Sequence, residues 1–91
     1  MVAVNRIGNV VYIQGNFGLD VAIGTTAVTV GHLDFPTAPL DTNITQIYTS
    51  NGGVILLEVH TNGDVKVLGY TNDPNNYGGA RFTMAVPLAD S

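Results

Sequence analysis

Hydrophobic and polar residues alternate along most of the chain, and a period of two predicts β-strands. Residues 10–19 are the clearest case, because every second side chain of that segment would face the same side of a strand. The two predicted faces are Val11, Ile13, Phe17 and Leu19 on one side, and Tyr12, Gln14 and Asn16 on the other.

Turn-forming residues divide the alternating pattern into short pieces. Glycine, asparagine and proline interrupt every stretch that could form a helix. Short strands with turns every eight to twelve residues are typical of a sandwich or a barrel. We therefore predict one all-β domain over residues 1–91, a compact antiparallel β-barrel or sandwich of six to seven short strands. The predicted strands are residues 2–7, 10–19, 26–33, 44–49, 54–60, 64–70 and 80–88.

The segment 55–68 predicts a β-hairpin, and its side chains select one register. A two-residue loop would set Val59 opposite Lys66 and so mix apolar with charged residues on each face. A three-residue loop, residues 61–63, sets Val59 opposite Val65 and separates an apolar face from a face with opposite charges. We predict the three-residue loop, because its last residue is a glycine, which readily adopts the required left-handed conformation.

The face of this hairpin that points away from the core would carry Leu56 and Leu68 beside Glu58 and Lys66. Two leucines on a solvent face are unfavourable for a lone copy of the chain. We expect a subunit interface to cover them. The alternative is that a loop of the same chain, such as residues 34–43, lies over them.

The charge content excludes some partners and favours others. Only 11% of the 91 residues are charged, against about 25% in ordinary domains, and the net charge is −4. The three cations, Arg6, Lys66 and Arg81, are scattered, so we predict no nucleic-acid binding. No segment reaches the roughly 18 apolar residues of a membrane span, so we predict no membrane insertion. High apolar content with few charges favours association of copies.

The residues that catalysis requires are sparse, and we predict no enzymatic activity and no cofactor. The chain has no cysteine, and neither Ser50 nor Ser91 lies in a nucleophile-elbow motif. His32 and His60 lack the spacing of a metal pair. His60 and Glu58 could share a metal from one strand face, but no third ligand is visible, so we predict no metal. We expect His60 to be a surface residue paired with Asp64, and the metal pair is the less favoured interpretation.

Four segments, in order, resemble the head domains of tail-fibre, tail-tip and baseplate receptor-binding proteins from phages of Gram-positive bacteria. They are NRIGNVVYIQGNFGL at residues 5–19, HLDFPTAPLD at 32–41, ILLEVHTNGDVKVL at 55–68 and RFTMAVPLADS at 81–91. The first is similar to the opening strand pair of those heads, the second to their Phe-Pro connection, the third to their hairpin and the fourth to their closing strand. Together they span nearly the whole chain.

The resemblance implies a compact β-barrel in a homotrimer, located in the virion at the distal end of a tail fibre or a baseplate. It implies binding to host cell-wall saccharide, with other tail or baseplate proteins as further partners. In heads of this kind a His, an Asp and a Trp of the hairpin contact the saccharide. Aligned on the Asn62-Gly63 turn, these positions fall on Leu56, Glu58 and near Val67, so this chain keeps only the acidic one.

Substitute saccharide-binding residues can be chosen by chemistry. Sugars offer an apolar face to aromatic rings and hydroxyls to polar side chains. The predicted carbohydrate-binding residues are Glu58, His60 and Lys66 on the outer hairpin face, and Tyr70 and Tyr77 on either side of the polar loop 71–76. The alternative is that Tyr70 lies at the core edge and that the asparagine-rich loop is an ordinary solvated turn.

Two functions of different classes follow from these observations. The leading hypothesis is a homotrimeric host-adhesion module that recognises cell-wall carbohydrate by several weak contacts at once. The alternative is a structural trimerisation or decoration domain of a virion that binds only its own copies. A small glycan-processing enzyme is the least favoured.

Overall fold

The computed structural model describes residues 2–89, which form seven β-strands and no helix. All strand pairings are antiparallel. The all-β prediction is therefore confirmed, and the two longest strands and their neighbour β1 have nearly the predicted bounds. The strands are β1 Val2–Ile7, β2 Val10–Leu19, β3 Val28–His32, β4 Asn43–Tyr48, β5 Val54–Val59, β6 Asp64–Gly69 and β7 Gly78–Pro87.

The strands form two sheets, with the orders β1-β2-β7 and β3-β6-β5-β4. A tight turn at Gly8-Asn9 starts the first sheet, with Ile7 opposite Val10. Gly8 has φ +61° and Asn9 has a negative φ, which fits a type II′ hairpin turn with glycine at its first central position. This turn reverses the direction of the chain, so that β2 follows β1 directly.

Alternation in the strands brings one face of each sheet into a common core. The predicted inward face of β2 is confirmed, because Val11 and Ile13 are buried while Tyr12 is exposed. Full burial of such side chains stabilises the fold by about 1.5–3 kcal/mol each. The buried apolar residues are Val11, Ile13, Ile47, Ile55, Leu57, Val59, Val67, Ala80, Met84, Val86 and Leu88.

The two sheets are joined along one side only. There Thr49 of the β4 end bridges Ala80 of β7, and the Ser50 amide donates to the Gly79 carbonyl at 2.8 Å. On the opposite side β1 and β3 are edge strands, and within residues 2–89 they do not pair with each other. The described chain is thus a two-sheet β fold that is open between β1 and β3.

The β5–β6 hairpin has the predicted register. Val59 lies opposite Val65 and Glu58 opposite Lys66. The amide of Gly63 donates to the His60 carbonyl at 2.9 Å, which closes a three-residue loop. Gly63 has φ +91°, so the predicted left-handed glycine is confirmed.

The prediction for β3 was partly wrong. The strand covers Val28–His32 rather than residues 26–33, and its pairing with β6 shifts between Thr29 and Gly31. This irregularity interrupts the simple alternation of side chains along the strand. Val28 and Val30 are both about half exposed.

Gly63→Ala should destabilise the fold more than Gly52→Ala. Both glycines have positive φ, where alanine costs about 1–2 kcal/mol, but a Cβ on Gly52 would meet nothing within 4 Å. A Cβ on Gly63 would meet the Leu33 carbonyl and the His32 ring. We therefore expect Gly63→Ala to cost about 1 kcal/mol or more beyond Gly52→Ala, measured by urea unfolding. Equal losses would mean that the contact of Gly63 with the segment after β3 is unimportant.

Candidate functional site

The outer face of the four-stranded sheet carries four of the five predicted site residues. Because side chains alternate, Glu58 and His60 project on the side opposite the buried Val59, and Lys66 opposite the buried Val67. The face divides into two halves along β5 and β6. A polar half adjoins the 61–63 loop, and an apolar half adjoins the other end of these strands.

The polar half contains Glu58, His60 and Lys66, and an exposed Ile44 lies beside them on β4, opposite Glu58. The Glu58 carboxylate accepts a hydrogen bond from His60, with 2.9 Å between Oε1 and Nε2. Lys66 lies directly across the strands from Glu58. The predicted pairing of the His60 side chain with Asp64 is wrong. Only the main chains of these two residues bond, with the His60 amide donating to the Asp64 carbonyl at 2.9 Å.

The apolar half contains the two leucines that sequence analysis singled out. Leu56 lies opposite Leu68, and both are half-buried on the outer face. Tyr48 and Tyr70 flank Val54, because Tyr48 pairs with it and the Tyr70 amide donates to its carbonyl. The two tyrosines are 65% and 64% exposed. A contiguous apolar surface results, defined by Tyr48, Val54, Leu56, Leu68 and Tyr70.

The loop that was the alternative cover for the leucines bonds elsewhere. Within residues 34–43, the Leu40 amide donates to the Pro87 carbonyl at 3.0 Å, and the Ala38 carbonyl accepts from the Ala89 amide at 2.8 Å. Pro39 also bridges Leu88. The loop is therefore bonded along the end of β7 in the other sheet.

The loop 71–76 is exposed at four of its six residues, as in the alternative interpretation, but its last residue anchors it to the core. Asn76 is completely buried, and its side-chain amide donates to the carbonyls of Ile23 and Thr71. The Thr49 hydroxyl donates to the Asn75 carbonyl at 2.7 Å. Sequence analysis missed this role of Asn76, because a buried asparagine and a solvated one are identical in a polar run of residues.

Tyr77 lies apart from the other predicted site residues. Its carbonyl accepts a hydrogen bond from the Asn51 side chain at 2.9 Å, which holds it beside the β4–β5 turn. Its ring is 38% exposed. Within residues 2–89 no hydrogen bond or ring contact joins Tyr77 to Glu58, His60 or Lys66.

A second polar cluster surrounds His32 at the end of β3. Its Nδ1 lies 3.0 Å from an Asp64 carboxylate oxygen, and its Nε2 lies 3.3 Å from Asp34. The hydrogen bond to Asp64 is the main cause that raises the pKa of His32, and the charge of Asp34 adds to it. The same hydrogen bond lowers the pKa of Asp64. Sequence could not assign Asp64 to His32, because only the β3–β6 pairing sets them opposite each other.

An apolar cleft opens between the two sheets beside β3. Its volume is about 370 Å³. Both sheets contribute to its walls. Sequence analysis did not predict the cleft, because its position follows from how far apart the sheet edges lie. The main lining side chains are Phe17, Leu19, Val30, Leu33, Val65 and Phe82.

Within residues 2–89, no group of three or more His, Cys, Asp or Glu side chains is arranged to hold a metal ion. Among the same residues there is no helix of the length and apolar character needed to cross a membrane. The third ligand that the Glu58–His60 pair would need is therefore not found in the described part of the chain.

Comparisons with known proteins leave the site to be judged by its geometry. No family model, curated protein or solved structure matches the chain.

The His32–Asp64 pair should make stability depend on pH. A histidine whose folded pKa is raised contributes stability that is complete below its ordinary pKa of about 6.5 and is lost as pH rises through the raised value. The lowered pKa of Asp64 contributes stability above about pH 3.9 that is lost as pH falls through the lowered value. We therefore expect the wild type to be more stable at pH 5.5 than at pH 8.5, and His32→Gln to reduce this difference, measured by urea unfolding.

Two matched variants separate the contributions to the pKa of His32. NMR titration of the imidazole should show a larger fall for Asp64→Asn than for Asp34→Asn, because the Asp64 hydrogen bond is the main cause of the shift. The opposite order would contradict the assignment.

Proposed function

We propose that this chain is a self-associating host-adhesion module that binds cell-surface saccharide as a homotrimer at the distal end of a phage tail fibre or baseplate. The single observation that supports it best is the outer face of the four-stranded sheet. Its apolar half suits contact between copies, and its polar half together with exposed tyrosines suits contact with sugar.

The apolar half supports the self-association. Tyr48, Val54, Leu56, Leu68 and Tyr70 form one apolar surface on a flat sheet, and contiguous surfaces of this kind commonly mark protein contacts. The 34–43 loop, which was the alternative cover, is bonded along the end of β7 instead. Aromatic and leucine side chains surrounded by polar residues match the centre and rim of a subunit interface.

The polar half supports the binding of saccharide. Glu58, His60 and Lys66 offer acceptors and donors for hydroxyl groups on a rigid β-sheet, which holds them in position. Tyr70 lies about 13 Å further along β6 at a rise of about 3.4 Å per residue, on the far side of the leucines. When a neighbouring copy covers the leucines, both ends stay accessible at opposite rims of the contact.

Closure of the fold into a barrel belongs to this proposal as well. The two sheets already join through Thr49 and Ala80, so a neighbouring copy needs to supply contacts only at the open side. Three equivalent sites on one rigid body would raise the overall affinity through effective concentration, so that weak single contacts suffice for adhesion.

The double variant Leu56→Gln, Leu68→Gln should dissociate the assembly. Full burial of a leucine is worth about 1.5–3 kcal/mol. Because both leucines are already half-buried in a single copy, the contact buries only the remainder, and we expect self-association to weaken by on the order of tenfold. Sedimentation velocity over a range of concentrations measures this, with the wild type expected near three times the 9.6 kDa mass of one chain.

Leu40→Gln is the matched control for this experiment. Leu40 is as exposed as the tyrosines but lies in the 34–43 loop, outside the outer face. Its substitution should leave the assembly intact. A wild type that sediments as a monomer at every concentration would contradict the proposed self-association.

Tyr70→Ala and Glu58→Gln should each weaken binding to an array of bacterial cell-wall saccharide fragments. Loss of one aromatic contact worth about 0.5–1.5 kcal/mol corresponds to a reduction of up to about tenfold. Tyr77→Ala tests the loop tyrosine in the same way. Tyr12→Ala is the control, because Tyr12 is an exposed tyrosine on the outer face of the other sheet.

If the intact wild-type assembly bound none of the saccharides, the structural alternative would be favoured. A trimerisation or decoration domain would form a trimer through the leucines and would bind neither the saccharide fragments nor intact host cells. Unchanged binding by Tyr70→Ala and Glu58→Gln would show that the saccharide site lies elsewhere.

A further inference from the structure

The strand β1 is an edge strand with an exposed apolar inner face. Val4 lies opposite Ile13 and therefore on the inner side of its sheet, yet Val2 and Val4 remain 52% and 57% exposed. Within residues 2–89 the strand is paired only with β2. It contains neither proline nor a shift of register, which are two common means of preventing edge strands from pairing with other chains.

The strand β3 is the matching edge of the second sheet. It is paired only with β6 in the described chain, and all five of its residues are exposed. The apolar cleft of about 370 Å³ opens beside it, with Val30 in one wall and Val2 of the chain's own β1 in the other. The two edges thus have similar lengths, six and five residues, and both present half-exposed valines.

The charges at the two edges are complementary. β1 carries Arg6 and no acidic residue. Two carboxylates, Asp34 and Asp64, lie around His32 at the end of β3, and Lys66 is close enough to Asp64 to act on its charge. Arg6 lies near the carboxyl end of β1, and this acidic group lies at the carboxyl end of β3, so the charges meet when the two strands run in the same direction.

Strand directions favour this arrangement in a closed ring of copies. Successive antiparallel pairings from β1 through β2, β7, β4, β5 and β6 to β3 leave β1 and β3 running in the same sense. Head-to-tail contacts in a ring join two different surfaces of each copy. A contact between β1 and β1 would leave every β3 edge unpaired, whereas a contact between β1 and β3 uses both edges of every copy.

We propose that β1 of one copy pairs in parallel with β3 of a neighbouring copy, so that the added strand covers the mouth of the apolar cleft and Arg6 meets Asp34 and Asp64. The occupant of the cleft is thus a second copy of this chain. The inference rests on the self-association part of the proposed function and does not depend on saccharide binding.

Engineered cysteines test the pairing without interference, because the chain has none of its own. Single variants Val4→Cys and Val30→Cys are mixed, allowed to exchange subunits under reducing conditions, and then oxidised. Val2→Cys with Val28→Cys is the second pair. Because a disulfide needs Cα atoms within about 7 Å, we expect both mixtures to form crosslinked heterodimers at least about tenfold faster than a control mixture. Val4→Cys with Val21→Cys is that control, since Val21 is an exposed valine outside both edges.

Three results would overturn the pairing. Crosslinking of Val4→Cys with Val30→Cys at the control rate would exclude the pairing. If only Val2→Cys with Val28→Cys crosslinked at the control rate, the parallel direction would be excluded. Faster crosslinking of Val4→Cys with itself would indicate a twofold β1–β1 contact. Sedimentation of the wild type and of the double leucine variant separates this inference from the proposed function. An assembly that depends on Leu56 and Leu68 but does not crosslink at the edges would overturn the strand pairing alone.

Discussion

The contact between the inner faces of the two sheets is the interaction on which the other features of this protein depend. Its centre is β5, where Ile55, Leu57 and Val59 are all buried. Because strand side chains alternate, burying these three forces their neighbours onto the outer face. Leu56 and Glu58 therefore lie half-buried on the outer face as a result of the same packing that makes the core. The surface that we propose for recognition is a direct consequence of that core.

The loops serve this core by fixing where the sheet ends lie. Asn76 bonds two carbonyl groups from separate loops in a buried position, and Thr49 joins β4 to the loop before β7. Unpaired buried carbonyl groups would be costly, so these side chains hold the joined side together. The opposite side has no such connections within residues 2–89. This asymmetry leaves β1 and β3 as edges of the described fold.

Much of the fold, and part of the candidate site, could be predicted from the chain. The hairpin register followed from residues 55–68, because only one loop length separates apolar from charged side chains. The shared face of Glu58, His60 and Lys66 followed from the same register. The partner of His60 did not, because two carboxylates lie within reach in sequence and the side-chain rotamer selects Glu58. Asp64 bonds His32 instead, from a strand 32 residues away.

The sequence by itself determined the features that depend on neighbours along the chain, namely strand periodicity, turn positions and the register of one hairpin. These features are governed by side-chain alternation and by the backbone conformations that glycine permits. Only the tertiary structure decided which strands became edges, where the apolar cleft opened, and that Asn76 is buried. These features depend on how two separately formed sheets meet, and that geometry is set by contacts between residues far apart in the chain.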